Sequence, residues 1–343
     1  MSRRNLLKWL ILPVIVICLA TANYSLRQQK DWPREIRKSY LTDRRISEDR
    51  QLEEMLKNGK NLNRGAIEKI QRQNLEYPFS FAVMGDTHVG DKGSEDVFMK
   101  LLDKLKEESP AFLVINGDLT TVGFDGNWDS YLERIKRQPY PVISVRGNHD
   151  TGGFGFWEGT FGKEDFSFEL KNHKFIFLSD LLGSETHGRI RNDQISWLKS
   201  QLETDRYPFI FMHIPTMLPK AQYWHYYGGD YFGGKPALIQ NHTEFVRLVE
   251  THKIPITLVM SHMHCFADYQ RGKTRYLVTG GGGGDGDGNL RWQKEAVPPH
   301  DGIFYHFIKI TLEKDGSYEG KVFTLDGEDE RYGFRNPPLN KSQ

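Results

Sequence analysis

An α/β fold built on parallel strands is predicted by three apolar runs and by the polar turn that ends each of them. Phe79–Met84, Ala111–Asn116 and Pro141–Val145 are rich in β-branched and aromatic residues, as buried strands are. They stop at Gly85-Asp86-Thr87-His88, at Gly117-Asp118 and at Gly147-Asn148-His149-Asp150. The steps from Asp86 to Asp118 and from Asp118 to Asn148 are each roughly 30 residues, about one βαβ unit. Parallel strands present their C-terminal ends along one edge, where open α/β sheets bind ligands. The three polar turns are therefore expected to converge in space.

Taken in order, the chain opens with basic Arg3-Arg4 and an apolar stretch, Leu6 to Ala22, interrupted by Lys8 and Pro13. It is too short and broken for a spanning helix of about 20 apolar residues. With Ala20-Thr21-Ala22 as a small-x-small site, residues 1–22 read as an export signal cleaved after Ala22. Ser2 to Lys8 resembles a twin-arginine signal, with Leu6 where Phe is commonest. The alternative is an uncleaved anchor over residues 6–22. Either way the body is expected outside the cytoplasm, periplasmic or extracellular, with membrane contact only through this segment.

Residues 23–76 are charged and poor in apolar side chains. Leu52, Met55 and Leu56 have helical spacing, so one or two helices or a solvated linker are expected, without chemistry. The main domain is expected over 77–327. Lys100 to Glu108, Trp128 to Arg137 and Gln194 to Leu202 read as helices, and Phe166 to Leu170 with Lys174 to Leu178 as a hairpin. Pro208–Met212 ends at His213, and Thr257–Met260 ends in Ser261-His262-Met263-His264. Thr274–Thr279 runs into Gly280–Gly284, and Phe304 to Leu312 with Gly320 to Leu325 form a last hairpin. These later strands look antiparallel or mixed. Residues 328–343 read as a tail.

Composition narrows the chemistry. The chain is long enough for one large domain plus an appendage, and 38% hydrophobic with 27% charged residues is ordinary for a globular protein. A net charge of +1 offers no global field for nucleic acid. Two cysteines, Cys18 and Cys265, exclude a disulfide framework and a cysteine-cluster metal site. Any metal must be held by His, Asp and Asn.

Five strand ends carry Asp86, His88, Asp118, Asn148, His149, His213, His262 and His264. Each alone has an ordinary explanation as a helix cap, a turn or a satisfied polar group. Together they mix hard oxygen donors with imidazole, which suits first-row divalent metals. Seven of them are candidate ligands, more than one four-coordinate centre can use. They fit two metals sharing a carboxylate.

The order Asp-x-His, Gly-Asp, Gly-Asn-His-Asp, His, x-His-x-His resembles the calcineurin-like metallophosphoesterase family over roughly residues 77–327. The resemblance implies a four-layer α/β/β/α sandwich of two mixed sheets with a dimetal centre between them. It implies that Asp86, His88 and His264 bind one ion, that Asn148, His213 and His262 bind the other, and that Asp118 bridges them. It implies two divalent ions (Mn, Fe or Zn), a phosphate-ester substrate, and a water between the ions as nucleophile. His149 would donate a proton or stabilise the phosphate, with Asn148 beside it on the substrate. Asp150 is expected among the catalytic groups, orienting a neighbour, or else as a cap.

Departures from the family pattern are specific. Ser261 stands where Gly is usual. Thr121 stands where many members carry an Asp that supports the histidine. The Arg that comes next in protein Ser/Thr phosphatases is missing. His88, and the lack of a tyrosine beside Asp118, argue against the purple acid phosphatase branch, and Asp-x-His leans towards diesters. The aromatic loop Tyr223–Phe232, with Tyr226, is a candidate substrate wall, and Asp285–Gly288 reads as a flexible turn. The competing readings are a metal-free protein-interaction module on the same fold, and a nuclease.

Overall fold

The computed structural model describes residues 57–337, together with 51, 53 and 54, apart from 151, 153–154, 182–186, 217–237 and 285–300. The expected export signal, most of the charged segment, the aromatic loop with Tyr226 and the Asp285–Gly288 turn lie outside the described residues. The chain divides into two units, Met1–Lys57 and Asn58–Gln343, and the second carries the site. Among the described residues, no helix is long and apolar enough to cross a membrane.

Helix α1 (Leu62–Arg72) is followed by β1 (Phe79–Met84), α2 (Lys92–Glu108), β2 (Leu113–Asn116), α3 (Asp125–Lys136) and β3 (Val142–Val145). Then come α4 (Phe156–Thr160), β4 (Phe166–Leu170), β5 (His173–Phe177), β6 (Gly188–Arg189), α5 (Asn192–Leu202) and β7 (Tyr207–Phe211). Short β8 (Leu238–Gln240), α6 (His242–Glu250), β9 (Thr257–Met260), β10 (Phe266–Arg271), β11 (Thr274–Thr279) and β12 (Asp301–Gly302) come next. The chain closes with β13 (His306–Leu312), β14 (Tyr318–Thr324), β15 (Gly327–Glu328) and β16 (Phe334–Asn336).

Two seven-stranded mixed sheets result. One runs β15-β14-β13-β1-β2-β3, with β16 also on β14, and the other runs β12-β10-β11-β9-β7-β5-β4. The β1, β2 and β3 strands are parallel, and so are β5, β7, β9 and β11. The sheets face each other across an aromatic core in which Phe81 meets Phe112, Phe175 and Phe209 at ring distances of 5.1, 5.4 and 5.5 Å. Fully burying each such ring is worth roughly 1.5–3 kcal/mol. A second apolar cluster joins the outer face of the first sheet to α2 and α3, and a third joins the other sheet to α5 and α6. These are the four layers of the expected α/β/β/α sandwich.

Local sequence explains the helices packed on the first sheet. In α2, Val97, Phe98, Leu101, Leu102 and Leu105 are buried at helical spacing, and the Asp91 carboxylate caps the start by accepting the Ser94 N–H. In α1, Asn63 pairs with the free edge of β3 as another strand would. Its side-chain amide donates to the Ser144 carbonyl at 2.8 Å, and its oxygen accepts the Ser144 N–H at 2.8 Å. This covers an edge that would otherwise offer unpaired groups. Ala66 and Ile70 of the same helix enter the inter-sheet core. Part of the charged segment, expected as one or two helices or a solvated linker, is thus a packed helix.

The C-terminal segment expected as a tail is also part of the sheet. β16 pairs with β14 from Tyr318↔Asn336 to Gly320↔Phe334, and Tyr332 is buried. Gly320 makes this possible, because a Cβ there would lie 2.1 Å from the Phe334 ring. The Arg275 guanidinium lies over the same ring, 4.8 Å from its centroid, and donates to the Arg335 carbonyl.

Candidate metal centre

The parallel strands of both sheets deliver their C-terminal ends to one place. Asp86 and His88 follow β1, Asp118 follows β2, Asn148 and His149 follow β3, His213 follows β7, and His262 and His264 follow β9. Asp86, His88, Asp118 and His264 can each bring one ligand atom within 4.8 Å of all the others. Asp118, His213 and His262 do the same. All seven expected metal-ligand residues are brought together, because Asn148 Oδ1 lies 3.1 Å from His213 Nε2.

Asp118 belongs to both groups through different atoms. Its Oδ2 lies 3.6 Å from His88 Nε2, and its Oδ1 lies 3.3 Å from His213 Nε2. On the other side of the first group, His264 Nε2 is 3.1 Å from His88 Nε2 and 3.8 Å from Asp86 Oδ1.

The backbone is bent to hold these groups. Among the described residues, nine non-glycine residues have positive φ, and five of them are Asp86, His88, Asp118, His262 and His264. Such conformations cost energy and persist where the surroundings enforce them, commonly at functional sites. Two glycines give the necessary clearance. A Cβ on Gly147 would lie 2.2 Å from Asp118 Oδ1, and one on Gly280 would lie 2.4 Å from Asp86 Oδ2.

The electrostatics are those of charged groups crowded together and buried. Burial, and then the neighbouring Asp118 charge, push Asp86 up to about 7, against the pull of His264 and His213. Burial also opposes ionisation of Asp118, but His213, His88 and His149 outweigh it and hold that carboxyl well below its usual range. Burial would lower His213, yet Asp118, Asp86 and Asp180 carry it up to about 10. Burial and the adjoining His213 charge push His262 down to about 3.

This donor set fits a pair of divalent cations. Asp86 Oδ1 and His262 Nδ1 are buried without a hydrogen-bond partner. A buried orphan acceptor is costly, and a bound cation would satisfy it. Oxygen and imidazole donors without thiolate suit first-row metals.

His149 is anchored beside the cluster. Its N–H donates to Asp118 Oδ1 at 2.9 Å, its ring packs 4.7 Å from that of His88, and its Nδ1 lies 2.8 Å from the Thr121 carbonyl oxygen. Nδ1–H therefore donates to Thr121, which leaves Nε2 for chemistry. With Thr121 in place of the supporting Asp, the support comes from its main-chain carbonyl.

Asp150, expected among the catalytic groups as an orienting residue or else as a cap, braces two loops of the site. Its Oδ2 accepts the N–H groups of Gly147 and Leu119, and its Oδ1 accepts the N–H and hydroxyl of Thr120. Both oxygens are thus committed to pinning the Asp118 loop to the Asn148 loop. It is a positioning residue, and it caps no helix.

Two supporting residues escape the sequence reading. Asp180, just beyond β5, accepts the N–H groups of His213 and Ile214 at 3.3 and 2.8 Å. Burial drives its carboxyl up to about 7. Its signal is its place after an apolar run, as with the ligands; reading β4 and β5 as a simple hairpin hides that β5 is also parallel to β7. Asn116, the last residue of β2, bridges the sheets by donating to the Met212 and Val259 carbonyls at 2.9 and 3.3 Å.

A four-layer fold with carboxylates and imidazoles gathered at the strand ends between its sheets defines a metallophosphoesterase type of protein. The chain belongs to the calcineurin-like phosphoesterase family, whose model matches residues 79–266. It is 22% identical over 228 residues to a probable cyclic nucleotide phosphodiesterase of Synechococcus sp., covering 65% of this chain and 80% of that one. Its fold is similar to a purple acid phosphatase from yellow lupin seeds, with a TM-score of 0.56 at 14% identity over 76% of this chain and 54% of that one. A dimetal phosphatase from Danio rerio is similar too, with a TM-score of 0.55 at 14% identity over 76% of this chain and 100% of that one. At such identity the two structures speak for the fold.

Proposed function

We propose that this protein is a dimetal-dependent phosphodiesterase. The observation that carries the reading is the Asp118 carboxylate, with one oxygen turned to each ligand group. Asp86, His88 and His264 would hold one cation, Asn148, His213 and His262 the other, with Asp118 common to both. Two such ions would supply the charge that clamps a phosphoryl group and makes water nucleophilic near neutral pH.

The chain's own residues do the rest. Asp150 and Asp180 hold the ligand loops in register through their main-chain N–H groups. His149, oriented by Thr121, presents Nε2 to the substrate, to protonate the leaving oxygen or to stabilise the phosphate by a hydrogen bond; a proton-donor role is worth about 10²–10⁴-fold. The preference for diesters is supported by the Asp-x-His pair Asp86 and His88 and by the activity named for the cyanobacterial relative.

A turnover screen with bis(4-nitrophenyl) phosphate and 4-nitrophenyl phosphate, joined to elemental analysis, tests this. The expected result is two metal ions per chain and faster diester turnover. Turnover of neither ester at full metal content would overturn the reading.

A further inference from the structure

Ser261 is completely buried just after β9, beside the last residue of β2 and the residue that follows β7. Its N–H donates to the His213 carbonyl at 2.9 Å. Its hydroxyl donates to the Asn116 carbonyl. The same oxygen lies 3.1 Å from His213 Nδ1, which is also 3.2 Å from the Asn116 carbonyl. The single Nδ1–H of His213 is thus shared between a hydroxyl and a carbonyl that are themselves bonded to each other. On the far side of the ring, Nε2 faces Asp118 and Asn148.

We propose that Ser261 is a positioning residue that fixes the tautomer and tilt of His213, and so sets the affinity of the second cation site alone. A ring held only by the Asn116 carbonyl can pivot about one contact; held at two points it cannot. Partners on the far nitrogen of a ligand histidine typically change metal affinity by about 10–100-fold. The rings of His88 and His264, in the first group, meet each other and His149, Asp118 and Asp86. The Ser261 hydroxyl bears instead on His213, so its effect belongs to one site. The family's usual glycine at position 261 would lack the hydroxyl, so this second point of restraint belongs to this chain.

The proposal rests on the two-cation reading and separates from it in one experiment. The full chain, stripped with chelator, is titrated with Mn²⁺, and free Mn²⁺ is followed by its paramagnetic resonance signal. The unsubstituted chain should bind two equivalents. In Ser261→Gly and Ser261→Ala, one equivalent should keep its affinity within about threefold, while the other weakens about 10–100-fold. kcat should recover at saturating Mn²⁺. Equal weakening of both equivalents, or of neither, would overturn the role of Ser261. Fewer than two equivalents in the unsubstituted chain would overturn the dimetal reading itself, and this proposal with it.

Discussion

The Thr121 carbonyl oxygen stands 2.8 Å from Nδ1 of His149. A main-chain acceptor orients the ring as a carboxylate would, turning Nε2 away from the Thr121 loop. Replacing His149 with Asn should therefore lower kcat by about 10²–10⁴-fold for poor leaving groups. The loss should shrink when 4-nitrophenolate leaves, since that group needs little protonation. Comparing kcat for an alkyl and a 4-nitrophenyl diester checks this, and equal losses on both would remove the proton-donor role.

Asp118 joins the two ligand groups, so Asp118→Asn should reduce metal content and turnover together, measured by elemental analysis and kcat on one sample. Its neighbours add a pH dependence. His213 is carried up to about 10 and Asp86 to about 7, so near neutrality a cation must displace protons from this cluster. Metal affinity should consequently rise with pH, by about tenfold per unit for each proton released. Mn²⁺ titrations at pH 6, 7 and 8 measure the slope, and a flat profile would contradict it.

The ligands are legible in the sequence because each comes after an apolar run and a turn residue, a local pattern. Asp86, Asp118 and Asn148 align by their spacing alone. The features that escape depend on contacts distant in sequence. Asn116 looks like the end of a strand, and only the facing carbonyls of Met212 and Val259 make it a bridge. Helix α6 does carry helical spacing in Phe245, Val246 and Val249, but it is short and follows the long aromatic stretch that dominates the reading of this region. The β16 strand reads as tail because its partner surface is made by Gly320 and Arg275, far upstream. The left-handed φ of five ligands is likewise imposed by packing, since Asp and His carry no such preference as strong as that of glycine.

Asp150 offers a test of how far loop bracing matters. All four donors around its carboxylate point inwards, so Asp150→Asn turns an NH₂ towards N–H groups. The cost should be about 1–3 kcal/mol, the penalty of an unsatisfied buried polar group. Urea unfolding should report the loss, and kcat should fall with it, because the Asp118 and Asn148 loops share this clip. An unchanged midpoint and unchanged kcat would show that the clip is dispensable.

His173 lies away from the site, fully buried, with Nδ1 3.1 Å from the Tyr77 hydroxyl. Burial pushes it down to about 4. The unfolded chain takes up a proton near pH 6.5, whereas the folded chain resists until about pH 4. The stabilisation from keeping His173 neutral is therefore present above 6.5 and is lost as pH falls towards 4. Between pH 7 and pH 5 this one residue should account for about 2 kcal/mol. Denaturant unfolding of the native chain and of His173→Gln at both pH values measures the difference, and identical pH slopes would refute it.

Positions 85 and 261 compete for one space. A Cβ on Gly85 would lie 2.5 Å from Ser261 Cβ, 2.8 Å from its Oγ and 3.0 Å from the Asn116 carbonyl oxygen. Gly85→Ala should therefore destabilise the protein by about 1–3 kcal/mol, the usual cost of overpacking. Two of those three contacts vanish in a Ser261→Gly background, so most of the cost should vanish with them. The carbonyl contact remains and should leave a small residue. A double-mutant cycle by chemical denaturation should give a coupling of about 1–2 kcal/mol. Simple additivity would mean that the strand ends can separate, and that neither residue is held by the other.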